Sequence, residues 1–104
     1  MIDSSSARVG DKLYITGEVK PYTVKERDER YIIATKPYNL RHTVVYFIID
    51  LFKGWRGPDD RVFCCGYETP EDISERLKEL NNGKIEVSRR RSVKTLMIEK
   101  IKTA

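Results

Sequence analysis

The apolar run at residues 43–51 constrains the fold more than any other stretch of the sequence. Within it, residues 44–49 are all apolar, so both alternating faces of an extended segment would need to be covered. The run is too short for a typical helix, and its β-branched and aromatic side chains favour a strand. We therefore expect a strand at the centre of a sheet, buried on both faces.

The segment after this strand predicts a loop and a second strand. Residues 57–60, Gly-Pro-Asp-Asp, are the residue types that supply tight turns. Residues 61–67 carry a shorter apolar run. Because short connections join antiparallel neighbours, we expect this run to return alongside the central strand.

A helix is predicted over residues 70–82. Thr69 is a favourable N-cap, and Pro70 suits the first helical position. Asp72 places negative charge in the first turn, where free backbone N–H groups favour it, and it is spaced to pair with Arg76. One apolar face follows at helical spacing, with Ile73, Leu77 and Leu80.

Alternating polar and apolar residues predict further strands at residues 12–20, 84–88 and 93–101, and the segment Tyr-Ile-Ile-Ala-Thr predicts another at residues 31–35. Mixed charges at residues 25–30 predict a solvated hairpin tip. The expected fold class is α+β. It has an antiparallel sheet of about five to six strands in the order β-β-β-β-α-β-β, with the helix packed on one face.

Length and hydropathy predict a single domain. Residues 1–10 are polar and predict a flexible lead-in, and residues 11–104 form the expected domain. No apolar stretch approaches the roughly 20 residues of a membrane span, and the first ten residues lack the apolar core of a signal peptide. We therefore expect a cytoplasmic protein. The adjacent Cys64 and Cys65 do not indicate a disulfide framework.

Positive charge is concentrated near the end of the chain. The net charge is +4, and residues 84–102 alone carry seven cationic and two acidic side chains. Guanidinium groups bind phosphates through paired hydrogen bonds, so a nucleic-acid contact is predicted at Arg89, Arg90, Arg91 and Lys94. The alternative is a charged sheet edge that discourages aggregation, or a solvated face.

A second candidate surface is the predicted loop at residues 53–57, which holds Trp55 and Arg56 between two glycines. An aromatic side chain at a loop tip can stack on a base or fill a partner's pocket. The alternative is that Trp55 folds back and covers the open end of the core.

The helix provides an alternative interaction surface, because its acidic residues outnumber its basic ones. On this hypothesis the protein is an inhibitor of a host complex, such as an anti-defence protein, which binds a basic partner or pairs through a sheet edge. A homodimer through an exposed edge is also expected. The residues for the basic partner are Glu68, Glu71, Asp72, Glu75 and Glu79.

Catalytic and metal-binding patterns are lacking in the sequence. His42 is the sole histidine, and with Cys64 and Cys65 it gives no zinc spacing or nucleophile signature. No glycine pattern for a nucleotide cofactor is present. We expect a protein that is not an enzyme and has no catalytic residues, metal or cofactor. A small nuclease that uses Tyr, Arg and Glu is left as a further alternative.

Residues 46–80 combine an apolar strand, a Gly/Asp loop, a second strand and a helix opened by Thr69 and Asp72. This segment resembles the arm-binding domains of phage integrases and related plant factors, in which three strands and a helix bind DNA. The resemblance implies that side chains near Trp55, Arg56 and Arg61 face the major groove. Residues 66–91 are also similar to small accessory proteins of phages and prophages. The expected function is a binding module of phage or mobile-element origin that contacts nucleic acid or a nucleoprotein complex.

Overall fold

A computed structural model of the chain describes residues 6–37, 44–61, 69–85, 87–92 and 98–103. They form seven strands and one helix: β1 (Lys12–Ile15), β2 (Tyr22–Arg27), β3 (Tyr31–Pro37), β4 (Val44–Asp50), β5 (Trp55–Pro58), α1 (Pro70–Asn81), β6 (Arg91–Ser92) and β7 (Ile98–Lys102). The strands form one antiparallel sheet in the order β6-β5-β4-β3-β2-β1-β7. The predicted α+β class is confirmed, with one strand more than the upper count expected.

The apolar run forms β4, an interior strand that pairs with β3 on one side and β5 on the other. Val45 and Ile49 point to one face and Ile48 to the other, and all three are buried. The prediction of a strand covered on both faces is therefore confirmed.

The chain returns from β4 earlier than the sequence pattern suggested. Trp55 and Arg56 belong to β5 and not to a loop. The turn between the strands is closed by the carboxylate of Asp50, which accepts hydrogen bonds from the backbone N–H groups of Phe52 and Lys53, each at 3.0 Å. Gly54 ends the turn with φ of 71°. The strand predicted at residues 61–67 falls outside the described residues, except for Arg61, which lies in a turn.

Three other predicted boundaries were wrong. The first strand ends at Ile15, because Thr16 and Gly17 form a turn in which Gly17 has φ of 84°. The hairpin tip is confined to residues 28–30, where Asp28 accepts the N–H groups of two following residues, and residues 25–27 belong to β2. The described part of residues 84–88 contains no strand. Only the last part of the strand predicted at residues 93–101 lies within the description, in β7.

The helix begins as predicted and ends one residue earlier than expected, at Asn81. Thr69 and Asp72 form a capping box, in which each side chain accepts the other residue's backbone N–H. The apolar face of α1 packs on one face of the sheet, in a cluster of Tyr31, Ile33, Tyr46, Ile48, Trp55, Leu80 and Val87. This helix is too short and too polar to cross a membrane.

The sheet curls into a half-barrel. Six Cα steps join Ser92 in β6 to Ile98 in β7, and they span at most about 22 Å. In a flat sheet the same two edge strands would lie six spacings, or about 29 Å, apart. The concave face is the one opposite α1, because Tyr22 of β2 and Phe47 of β4 meet across β3 with ring centroids 5.1 Å apart. A second core cluster fills this side, with Ala7, Leu13, Ile15, Tyr22, Val24, Ile32, Ala34 and Ile49.

Candidate nucleic-acid interface

An open cleft of about 480 Å³ lies on the concave side of the half-barrel. We call it the cationic cleft, because five of its ten lining residues are lysine or arginine and one is acidic. The lining residues are Glu18, Lys36, Pro37, Val45, Phe47, Arg56, Pro58, Arg89, Arg90 and Arg91.

The floor of the cleft is apolar and is built from two neighbouring strands. Val45 and Phe47 are two residues apart on β4, so their side chains share one face. Pro58 of β5 lies opposite Phe47 in the strand register. Phe47 is half-buried, whereas Val45 and Pro58 are buried. This apolar surface lies between Lys36 on β3 and Arg91 on β6.

Arg56 closes the inner end of the cleft. It is 4% exposed, and its guanidinium carbon lies 5.5 Å from the ring centroid of Tyr22 and 5.8 Å from that of Phe47. Its Nη2 donates a hydrogen bond to Glu18. The buried Nε of Arg56 has no hydrogen-bond acceptor among the described residues.

Glu18 is the counter-ion of the inner end. The turn after β1 places its carboxylate where it accepts a hydrogen bond from the Tyr22 hydroxyl at 2.9 Å and lies 2.8 Å from Nζ of Lys36. Burial acts to raise the pKa of Glu18. The hydrogen bonds of Lys36 and Tyr22 and the charge of Arg56 outweigh it, so the net pKa is lowered. Glu18 is therefore ionised at neutral pH.

The three consecutive arginines all line the cleft, and Arg90 has further contacts with the core. Arg91 pairs with Arg56 in the strand register and lines the cleft together with Arg89. The guanidinium carbon of Arg90 lies 4.8 Å from the ring centroid of Trp55, and its Nε donates to the Val87 carbonyl at 2.9 Å. Arg90 thus holds the segment against the core at the position between Arg89 and Arg91.

Two other residues of the predicted nucleic-acid surface lie away from the cleft. Trp55 is 8% exposed and belongs to the core cluster beneath α1, so the interpretation that it covers the core is the one that the structure favours. Arg61 is paired with Glu79 of the helix. Lys94 lies outside the described residues.

The acidic helix surface is partly engaged within the molecule. Glu71 and Glu75 are exposed, and Glu75 lies 3.9 Å from Lys78. Asp72 caps the helix, and Glu79 is paired with Arg61. Glu68 lies outside the described residues.

The sequence analysis missed the roles of three charged residues, Lys36, Glu18 and Arg76. Lys36 could have been found, because it continues the face of Ile32 and Ala34 by one more alternation on β3. Glu18 was assigned to a strand that ends before it.

Arg76 was expected to pair with Asp72 on the helix surface, but it is fully buried and bonds Asp59 instead. Its Nε and Nη2 reach the two carboxylate oxygens at 3.1 and 3.0 Å.

Metal ligands are not grouped in the part of the chain that the structure describes, where no set of three or more His, Cys, Asp or Glu could hold an ion. His42, Cys64 and Cys65 lie outside that part.

Fold and cleft together define a small α+β protein with a curled antiparallel sheet and a cationic concave side. Comparisons of the chain with protein-family models, with curated proteins and with solved structures found no match. The resemblance to integrase arm-binding domains and phage accessory proteins therefore stays a prediction.

Proposed function

We propose that this protein is a nucleic-acid-binding module and that the cationic cleft is its contact surface. The observation that carries the proposal is the charge of the cleft, with five cationic side chains to one carboxylate. A concave surface of this sign attracts polyanions, and phosphate contacts supply most of the affinity of non-specific nucleic-acid binding. The proposed activity is binding, and no catalytic step is part of it.

The placement of the arginines supports phosphate recognition. Arg89 and Arg91 are exposed and line the same cleft. Each guanidinium can donate two parallel hydrogen bonds to a phosphate, a geometry that lysine lacks. Lys36, from β3, adds a positive charge on the other side of the apolar floor.

The residues of the predicted nucleic-acid surface take different roles in this proposal. Arg89 and Arg91 contact phosphate directly, and Lys36, which keeps its ion pair with Glu18, joins them with its remaining N–H donors. Arg56 contributes its charge from beneath, because it is held by Glu18. Arg90 and Trp55 support the contact by fixing the chain between the two exposed arginines.

The test is fluorescence anisotropy with labelled single-stranded DNA, duplex DNA and RNA of equal length, at about 50 and 200 mM salt. We expect binding that weakens steeply with salt. The double variant Arg89→Ala/Arg91→Ala should bind about tenfold more weakly at the lower salt, because two phosphate contacts are lost.

The matched control is Lys25→Ala/Lys78→Ala, which also removes two positive charges. These lysines line a different groove, between β2 and α1, where Glu26, Glu71 and Glu75 balance them. This control should bind within about twofold of the unmodified protein, since its charges lie outside the cleft. Flat titrations with all three nucleic acids, or equal weakening by both double variants, would remove the proposal.

A further inference from the structure

We propose that the cationic cleft accepts one unpaired nucleotide of a single strand, with the base against the apolar floor and the flanking phosphates at the cationic rim. This inference rests on the proposed function and deepens it. It names the substrate class as single-stranded nucleic acid and assigns a separate contact to the base.

The size of the cleft suits a single nucleotide. Its volume of about 480 Å³ lies within the range of roughly 300–1,000 Å³ that is usual for pockets of small ligands. A surface that only followed the outside of a duplex would need no such recess. The recess is therefore large enough to admit a base and its sugar.

The floor offers the base an aromatic and apolar contact. Phe47 is half-buried, with Val45 beside it on β4 and Pro58 opposite it on β5. Every base has an apolar face that can lie on such a surface, so the contact tolerates any sequence. The guanidinium of Arg56 lies at the inner end of this floor, 5.8 Å from the ring centroid of Phe47.

The rim places cations on both sides of this floor. In the sheet order, β4 and β5 carry the floor and lie between β3, which carries Lys36, and β6, which carries Arg91. A nucleotide within a strand has a phosphate on each side of its sugar, whereas a free monophosphate has one. The two-sided rim therefore matches a nucleotide within a strand.

A duplex cannot use the floor in the same way. Its bases are stacked and paired, so a base would have to leave the stack before it entered the cleft, at a cost in free energy. We expect the protein to bind single strands more tightly than duplex of the same length, although the duplex carries the higher charge density.

The deciding experiment compares three labelled ligands by anisotropy at about 50 mM salt: an oligothymidylate, an abasic strand of the same length, and a duplex. The abasic strand keeps every phosphate and lacks every base. We expect it to bind about tenfold more weakly than the oligothymidylate, because the floor contact is lost. The duplex should also bind more weakly.

The variant Phe47→Leu tests the same contact from the protein side. It should weaken binding of the oligothymidylate more than binding of the abasic strand. Phe52→Leu is the matched control, because Phe52 is 70% exposed at the β4–β5 turn and does not line the cleft. Thermal unfolding establishes that each variant is folded. Should Phe47→Leu not fold, the abasic comparison with the unmodified protein decides the question.

Failure of this inference is distinguishable from failure of the proposed function. Equal binding of the intact and abasic strands, with Arg89→Ala/Arg91→Ala still weakening both, would overturn the inference and leave the proposed function in place. Binding by no strand would remove both. Competition by thymidine monophosphate separates a strand from a free nucleotide. A monophosphate that competes as well as the oligothymidylate would assign the cleft to free nucleotides and overturn the proposal.

Discussion

Three ion pairs involve side chains that are buried in the part of the chain that the structure describes. Arg76 bonds Asp59, Arg56 bonds Glu18, and the fully buried Asp50 bonds Arg30 at 3.0 Å. Removing a charge from water costs several kcal/mol, and only a well-aligned partner offsets that cost. The loss of one member of a pair should therefore be more damaging than its hydrogen bonds alone would suggest.

The pair between Arg76 and Asp59 gives the clearest stability prediction. Arg76→Met should lower the free energy of unfolding by about 3–5 kcal/mol, because it leaves the Asp59 carboxylate buried without its cation. Adding Asp59→Asn should recover part of this loss, since an amide carries no charge. Urea unfolding measures both. Lys78→Met, on the exposed face of the same helix, should change stability by no more than about 0.5 kcal/mol. A loss in Arg76→Met as small as in this control would contradict the prediction.

Acid should destabilise the fold through its carboxylates. Burial acts to raise the pKa of Asp50, but hydrogen bonds from Arg30 and from the backbone of Lys53 outweigh it, and the net pKa lies below its ordinary value of 3.8. The pKa of Asp28 and that of Glu18 are lowered in the same way. Around and below the ordinary pKa values of these carboxyl groups, the unfolded chain therefore binds more protons than the folded one. Stability present at neutral pH is therefore lost as the pH falls below about 4.5 and through the folded-state values.

Urea unfolding at pH values between about 7 and 3 tests this expectation. Asp50→Asn should show a shallower loss of stability with acid than the unmodified protein, because one of the contributing carboxylates is gone. An equal free energy of unfolding at about pH 7 and at about pH 3 would contradict the expected acid destabilisation.

Single elements differ in how far their sequence predicts them. The start of α1 was predicted correctly because Thr69, Pro70 and Asp72 act within four consecutive positions. Strand β5 was not predicted, because the turn before it depends on the side chain of Asp50 bonding the backbone beyond it. The described part of residues 84–88 alternates in sequence yet forms no strand, so alternation alone did not determine its structure.

The segment after α1 approaches β5 closely at Gly57, and this contact gives a prediction. A Cβ atom at Gly57 would lie 2.5 Å from the carbonyl oxygen of Arg89 and 2.5 Å from Cγ1 of Val87. Gly57→Ala should therefore displace this segment and cost about 1–3 kcal/mol of stability. Because Arg89 moves with the segment, nucleic-acid binding should weaken as well.

Gly83→Ala is the control for Gly57→Ala, because it should also lower stability but lies away from the cleft. Gly83 has open space around it but a φ of 86°, so alanine there is strained without any clash. We expect it to lose stability and to keep its affinity in the anisotropy assay. Unchanged affinity in folded Gly57→Ala would contradict the proposed link between the packing of residues 87–89 on Gly57 and nucleic-acid binding in the cleft.

Curling of the whole molecule creates the cleft, and sequence patterns do not report it. Glu18 and Arg56 are 38 positions apart and meet only because β5 and the turn after β1 face the same concave space. The sequence did indicate that positive charge gathers late in the chain. It could not indicate that Arg89 and Arg91 line the cleft while Lys102, in β7, belongs to the opposite edge of the sheet.

Salt dependence is the prediction that belongs to the molecule as a whole. If Lys36, Arg89 and Arg91 each neutralise one phosphate of a single strand, the logarithm of the binding constant should fall with the logarithm of salt concentration with a slope of about −2. Arg89→Ala/Arg91→Ala should reduce the slope to about −0.7. Anisotropy titrations at four or more salt concentrations give both slopes. An unchanged slope in the double variant would show that these arginines do not contact phosphate.

The contact between Arg90 and Trp55 also provides an optical reporter. Trp55 is the single tryptophan of the chain, and Arg90 lies over its ring between the two arginines of the cleft. On the proposed function, a ligand that draws Arg89 and Arg91 toward itself should shift the Arg90 guanidinium above the indole and so change the intensity of the indole emission. Occupancy of the cleft can therefore be followed in the unlabelled protein, from the opposite face of the sheet.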